Sequence, residues 1–65
     1  MALRELAARS ECGVRVRLLW DSGRNQVVVR YSDIRSGDRF VADVPNWAAL
    51  AAFQHPNAYR PQRAA

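Results

Sequence analysis

The stretch VRVRLLWDSGRNQVVVRYSDIRSGDRFVADV, residues 14–44, decides the fold. Three runs in it alternate apolar with polar residues, Val14 to Trp20, Val27 to Ser32 and Arg39 to Val44, and two short glycine-bearing loops separate them. A period of two is the mark of a strand with one buried face, so the stretch predicts a three-stranded antiparallel meander. In the first run Val14, Val16, Leu18 and Trp20 share one face, and Arg15, Arg17 and Leu19 share the other. A loop of Asp21, Ser22, Gly23 and Arg24 sets Leu18 opposite Val27, Val16 opposite Val29 and Arg15 opposite Arg30. The second loop, Ile34 to Gly37, sets Tyr31 opposite Phe40, Val29 opposite Ala42 and Arg39 opposite Ser32, with Gly37 suited to the left-handed position that closes such a turn.

Outward from the meander, Leu3, Leu6 and Ala7 recur at helical spacing and Gly13 follows as a stop signal, which predicts a short N-terminal helix over 2–10. So short a helix needs its leucine stripe packed on the sheet or on a partner. On the other side Pro45 ends the third strand and Asn46 offers a helix cap. Trp47, Leu50, Ala51 and Phe53 or Gln54 then outline the inward stripe of a second helix over 46–55, which Pro56 stops. His55 at its end is placed to donate to free carbonyls. The core is expected to bring Trp20, Tyr31 and Phe40 against Trp47 and Phe53, with Leu50 among them, and residues 57–65 form a polar tail that frays beyond Tyr59. The expected architecture is one small α+β domain over 1–65: a three-stranded antiparallel β-meander, a C-terminal helix packed on one face and a short N-terminal helix.

Sixty-five residues lie near the lower size at which a hydrophobic core outweighs the entropy of ordering the chain, so a partner or a homodimer would add useful stability. Ten arginines, no lysine and six carboxylates leave a net charge of +4, which favours an anionic partner. An arginine- and alanine-rich composition also follows from the codon bias of a GC-rich genome, so charge alone decides nothing. Cys12 is the only cysteine, which rules out an intramolecular disulfide and suits a reducing cytoplasm. Arg4, Glu5 and Arg9 interrupt the first residues, and no 18-residue apolar run exists, so neither a signal peptide nor a membrane span is expected. One histidine and one cysteine cannot close a zinc site, no phosphate loop or nucleophile with its base is legible, and the four aspartates sit at turns and strand ends. The chain reads as non-enzymatic, with no cofactor.

What remains is the solvent face of the sheet. Arg15, Arg17, Arg30 and Arg39 project from it, and Arg24 and Arg35 stand at its two ends. The guanidinium fork donates two parallel hydrogen bonds to a phosphate or a guanine edge, which an ammonium cannot do. With no aromatic side chain on that face, base stacking of single strands is disfavoured, and double-stranded DNA is the expected ligand. The alternatives are a solvated face offset by Asp33 and Asp43, and a protein-interaction module that uses Leu3 and Leu6 to engage a partner or itself.

Three resemblances attach to these residues. The stretch from Val16 to Tyr59, with WDSGRNQVVVRYSDIRSGDRFVADV followed by AAFQHPNAY, resembles a group of small actinobacterial proteins of uncharacterised function that share a tryptophan before the first turn, an R-x-G turn and an F-x-H-P-x-A-Y ending. It implies a fold and a host type. The order of three strands then a helix is similar to AP2-type and phage-integrase amino-terminal DNA-binding domains, whose sheet enters the major groove. That resemblance implies the same use for Arg15, Arg17, Arg30 and Arg39. Finally, LRELAARSECGVRVRLLWD, residues 3–21, is similar to the helix-turn-helix opening of MerR-type regulators, which implies a recognition helix where the alternation of Val14, Val16 and Leu18 implies a strand.

Overall fold

Cys12 and Gly13 both adopt left-handed backbone, with φ of 52° and 82°. Two consecutive residues of this kind make the tight turn whose twist matches a pair of antiparallel strands. The chain before them is therefore a strand and not the expected helix over 2–10: β1, Leu3–Glu11, runs antiparallel to β2, Val14–Asp21, with Glu11 opposite Val14. The computed structural model describes residues 3–61. In it β3, Gln26–Asp33, and β4, Asp38–Val44, complete a four-stranded sheet in the order β1-β2-β3-β4, one strand more than the alternation announces. The fold class, α+β with an antiparallel meander, is the expected one.

A bulge hides β1 in the sequence. Glu5 lies opposite Leu19 and Ala7 opposite Leu18, so Leu6 is an extra residue, and the alternation before it is out of phase with the alternation after it. Leu3, Leu6 and Ala7 straddle this phase change, which imitates helical spacing. With both β1 and β2 extended, the helix-turn-helix reading of this segment falls.

The β3–β4 register is the expected one, with Tyr31 opposite Phe40, Val29 opposite Ala42 and Ser32 opposite Arg39. The β2–β3 register differs by two residues. Asp21 stays in the ladder opposite Gln26, so Leu18 faces Val29, Val16 faces Tyr31, Arg17 faces Arg30 and Arg15 faces Ser32. The Asp21 carboxylate explains the choice: it accepts the backbone N–H of Gly23 at 3.1 Å and of Arg24 at 3.3 Å, which holds the loop at 22–25, and Asn25 takes a φ of 54° to close it. A slip of two leaves every side chain on its intended face.

One face of the sheet is the core. Val16, Leu18, Val27, Val29, Ala42 and Val44 are buried there with Ala52 of the helix, and Trp20, Tyr31, Phe40 and Phe53 pack around them half-exposed. A 3-10 turn, Asn46–Ala48, leads into α1, Ala49–Gln54. Neither Asn46 nor any other side chain caps the start of these segments. The inward stripe is Ala48 and Ala52, at 1% and 0% exposure, while the expected core residues Trp47 and Leu50 stand 86% and 66% exposed. The tighter winding of the 3-10 turn shifts the stripe by one position, and alanine lets α1 lie close on the sheet. The far end of α1 is held from β1 rather than by His55: the Arg9 guanidinium donates to the carbonyls of Phe53 (3.2 and 3.0 Å) and Gln54 (3.3 Å) and lies 5.5 Å over the Phe53 ring.

Past Tyr59 the described chain continues through Arg60 to Pro61, and the rest of the segment expected to fray, 62–65, lies outside the described residues. After a second 3-10 turn, Pro56–Tyr59, Arg60 forms a two-pronged pair with the Asp38 carboxylate and lies 4.6 Å over the Phe40 ring, which itself stacks on Tyr31 at 5.1 Å. The hydrogen bond from Arg60 holds the Asp38 carboxyl below the usual carboxylate range, and that from Arg24 does the same for Asp21. A carboxyl depressed in the folded state contributes stability above its unfolded pKa of about 3.9, and this is lost as pH falls through the folded value. The melting temperature is therefore expected to stay level from neutral pH to about pH 5 and to fall below about pH 4. Thermal melts of the parent and of Asp38→Asn check this: the variant starts lower and shows a shallower acid fall.

Candidate nucleic-acid interface

The second face of the sheet carries no helix, and the register divides it into rows. Arg15, Ser32 and Arg39 lie side by side across β2, β3 and β4, and Arg17, Arg30 and Val41 form the next row. Successive strands are about 4.8 Å apart and successive rows about 6.7 Å, so the four arginines span an area about the size of two adjacent phosphates. Beyond them Glu5, Leu19, Val28 and Asp43 make a third row, in which Leu19 and Val28 are 4% and 5% exposed. These two apolar residues give the uncovered face a firm floor at one end.

Arg15, Arg17, Arg30 and Arg39, with Ser32 and Val41 and with Tyr31 and Phe40 reaching in from the core side, line an open depression of about 270 Å³. Arg15, Arg30 and Arg39 are exposed and Arg17 is half-buried. The expectation that these four project together agrees with the strand register, although it is Arg17 rather than Arg15 that stands directly opposite Arg30. Like charges in that position destabilise a sheet. The Arg17 Nε donates to the Glu5 carboxylate at 2.7 Å, which offsets part of the repulsion.

The charge inventory isolates the rest. Ten arginines stand against six carboxylates, and every carboxylate has an arginine beside it: Glu5 has Arg17, Glu11 has Arg9, Asp21 and Asp43 share Arg24, Asp33 has Arg35 and Asp38 has Arg60. Among the described residues Arg4, Arg15, Arg30 and Arg39 make no ion pair; Arg4 stands alone opposite Trp20 on the core side, and the other three collect in one depression. Arg24, expected at one end of this site, is drawn away by Asp21 at 2.8 Å and Asp43 at 3.2 Å, and both carboxylates push its pKa upward. Arg35, expected at the other end, is exposed and packs its stem against Gly13, with Asp33 at 3.9 Å.

The expected partner-binding residues Leu3 and Leu6 lie on the edge strand β1, 54% and 49% exposed. Cys12 sits exposed at the tip of the β1–β2 turn. Among the described residues no three His, Cys, Asp or Glu side chains gather as a metal site would require, and no helix is long and apolar enough to cross a membrane. Sequence reasoning missed Glu5 as a member of the arginine face, because only the bulge at Leu6 puts it there. Comparison with family models, with curated proteins and with solved structures returns no match to this chain.

Proposed function

We propose that this chain is a small, non-enzymatic, cytoplasmic regulatory module that binds double-stranded DNA through the arginine face of its sheet. One observation carries the reading: three arginines with no ion pair among the described residues, Arg15, Arg30 and Arg39, share one open depression while every carboxylate is already matched. Phosphates are the natural counter-charge for guanidinium groups spaced by strands and rows, and the two aromatic side chains that reach the depression, Tyr31 and Phe40, are already stacked on each other with Arg60 over Phe40, which suits a duplex better than an unstacked strand. It is the use of a sheet made by the AP2-type and phage-integrase domains, which the last three strands and the helix, β2 to β4 and α1, resemble in order, β1 being an addition to that pattern. Three phosphate contacts at about 0.9 each give an affinity that falls with salt at a log-log slope of about −2.7. Fluorescence anisotropy with a labelled mixed-sequence duplex, repeated over a range of salt, measures that slope. No binding at low salt and about 50 μM protein, where even non-specific contacts register, would leave the face as a codon-biased solvent surface.

A second reading, a protein-interaction module, is favoured by the exposure of Leu3 and Leu6 on an unpaired strand edge. Its occupant would be a second copy of the chain, joined edge to edge. Sedimentation velocity of the parent and of Leu3→Ser/Leu6→Ser is then expected to show a dimer that becomes a monomer in the variant. Equal monomers sink that reading. Deleting the segment is no test, because β1 belongs to the sheet.

A further inference from the structure

Glu5 reaches the arginine face only because of the bulge. Continued without the extra Leu6, the β1 register would put Glu5 opposite Trp20, on the core side; with it, Glu5 lies opposite Leu19, on the same side as Arg17. A bulge of this kind re-aims a side chain. Here it turns a carboxylate onto one of the four arginines, at 2.7 Å from the Arg17 Nε. The other two carboxylates on this face, Asp21 and Asp43, are both engaged by Arg24 and belong to the rows beyond. Glu5 and Arg17 are 46% and 40% exposed as side chains, so water and ions reach both, and the pair can open without burying a charge.

Resting on the duplex-binding reading, we propose that Glu5 is an internal counter-anion of the DNA-binding face: its carboxylate holds the position on Arg17 that a DNA phosphate would otherwise take, and so limits affinity and salt sensitivity. A carboxylate and a phosphate oxygen make the same charge-assisted bond to a guanidinium, so the two compete for one site. Arg15, Arg30 and Arg39 then make the contacts of the parent protein, and Arg17 adds a fourth only when Glu5 is neutralised.

The test is duplex binding by anisotropy for the parent, Glu5→Gln, Glu5→Gln/Arg17→Gln and Glu11→Gln, with thermal melts confirming that each is folded. Glu5→Gln is expected to steepen the salt slope from about −2.7 to about −3.6 and to tighten binding about eightfold at about 0.1 M salt, the effect of one further contact. Adding Arg17→Gln should return both to the parent values. Glu11→Gln changes the net charge by the same amount from beside Arg9 on the other face, and should move neither. If the parent binds and Glu5→Gln binds with the same slope, or if Glu11→Gln has an equal effect, the competition is disproved while duplex binding stands. If neither the parent nor Glu5→Gln binds, the duplex-binding reading falls, and the proposal with it.

Discussion

Replacing Val29 with alanine is expected to destabilise the domain by about 2–3 kcal/mol, while replacing Trp47 with alanine changes stability by less than about 0.5 kcal/mol. Val29 is fully buried on the inner strand β3, opposite Leu18 on one side and Ala42 on the other. Losing two methyl groups there removes about 1.6 kcal/mol of transfer free energy, and the cavity adds the remainder, because the sheet cannot close over it. In a domain of this size the core supplies about 3–5 kcal/mol in all, so the midpoint of a thermal melt should drop by about 10–20 °C. Trp47 is the larger side chain but already stands in water, at 86% exposure. Circular dichroism melts of the two variants separate an inward stripe of Ala48 and Ala52 from one of Trp47 and Leu50. A large loss from Trp47→Ala together with a small loss from Val29→Ala would put α1 the wrong way round.

Changing Arg15 and Arg30 together to glutamine is expected to weaken duplex binding about 60-fold at about 0.1 M salt and to reduce the salt slope from about −2.7 to about −0.9, the loss of two of three phosphate contacts. Both residues are exposed and make no ion pair among the described residues, so the fold should not register the change. Removing one of two facing arginines even relieves repulsion, since Arg30 lies directly opposite Arg17. Arg4 is the control. It stands opposite Trp20, on the core side of the sheet, and Arg4→Gln should leave the slope unchanged. An arginine that reads a base edge behaves differently from one on a phosphate: its loss relaxes sequence preference by about 1–3 kcal/mol instead of lowering the slope. Binding that ignores both substitutions would remove this face from consideration.

The β2, β3 and β4 strands were legible because Val16, Leu18, Val29 and their partners recur at every second position, with only Leu19 and Val28 apolar and buried on the other face, and Gly37, at a φ of 76°, marks its turn. The same alternation is blind to a shift of two, which is why Asp21, by staying paired and holding its loop, could move Arg30 from Arg15 to Arg17 without disturbing either face. β1 was not legible. Leu, Ala, Arg and Glu are good helix formers, and the one residue that breaks the strand pattern, Leu6, breaks it in a way that looks helical. The tilt of α1 escaped for a different reason: size and hydropathy recommend Trp47 and Leu50 for the interior, whereas close approach to a sheet recommends Ala48 and Ala52. At the site, parity alone located Arg15, Arg17, Arg30 and Arg39. What parity could not see was pairing across the fold, and so Arg24 was counted as free although Asp43, far along the chain, holds it.

The Arg9 contact with the end of α1 bears on how the molecule comes apart. Each strand pairs with its neighbour in the chain, so the three hairpins are local and close quickly. Arg9 and Phe53 are separated by 44 positions, and their hydrogen bonds can form only once sheet and helix are both in place. An interaction made after the folding barrier acts on the unfolding rate and leaves the refolding rate alone. Arg9 is therefore expected to work as a clasp on a finished object, so that Arg9→Gln shortens the time the folded state lasts between openings and leaves the rate of refolding as it was.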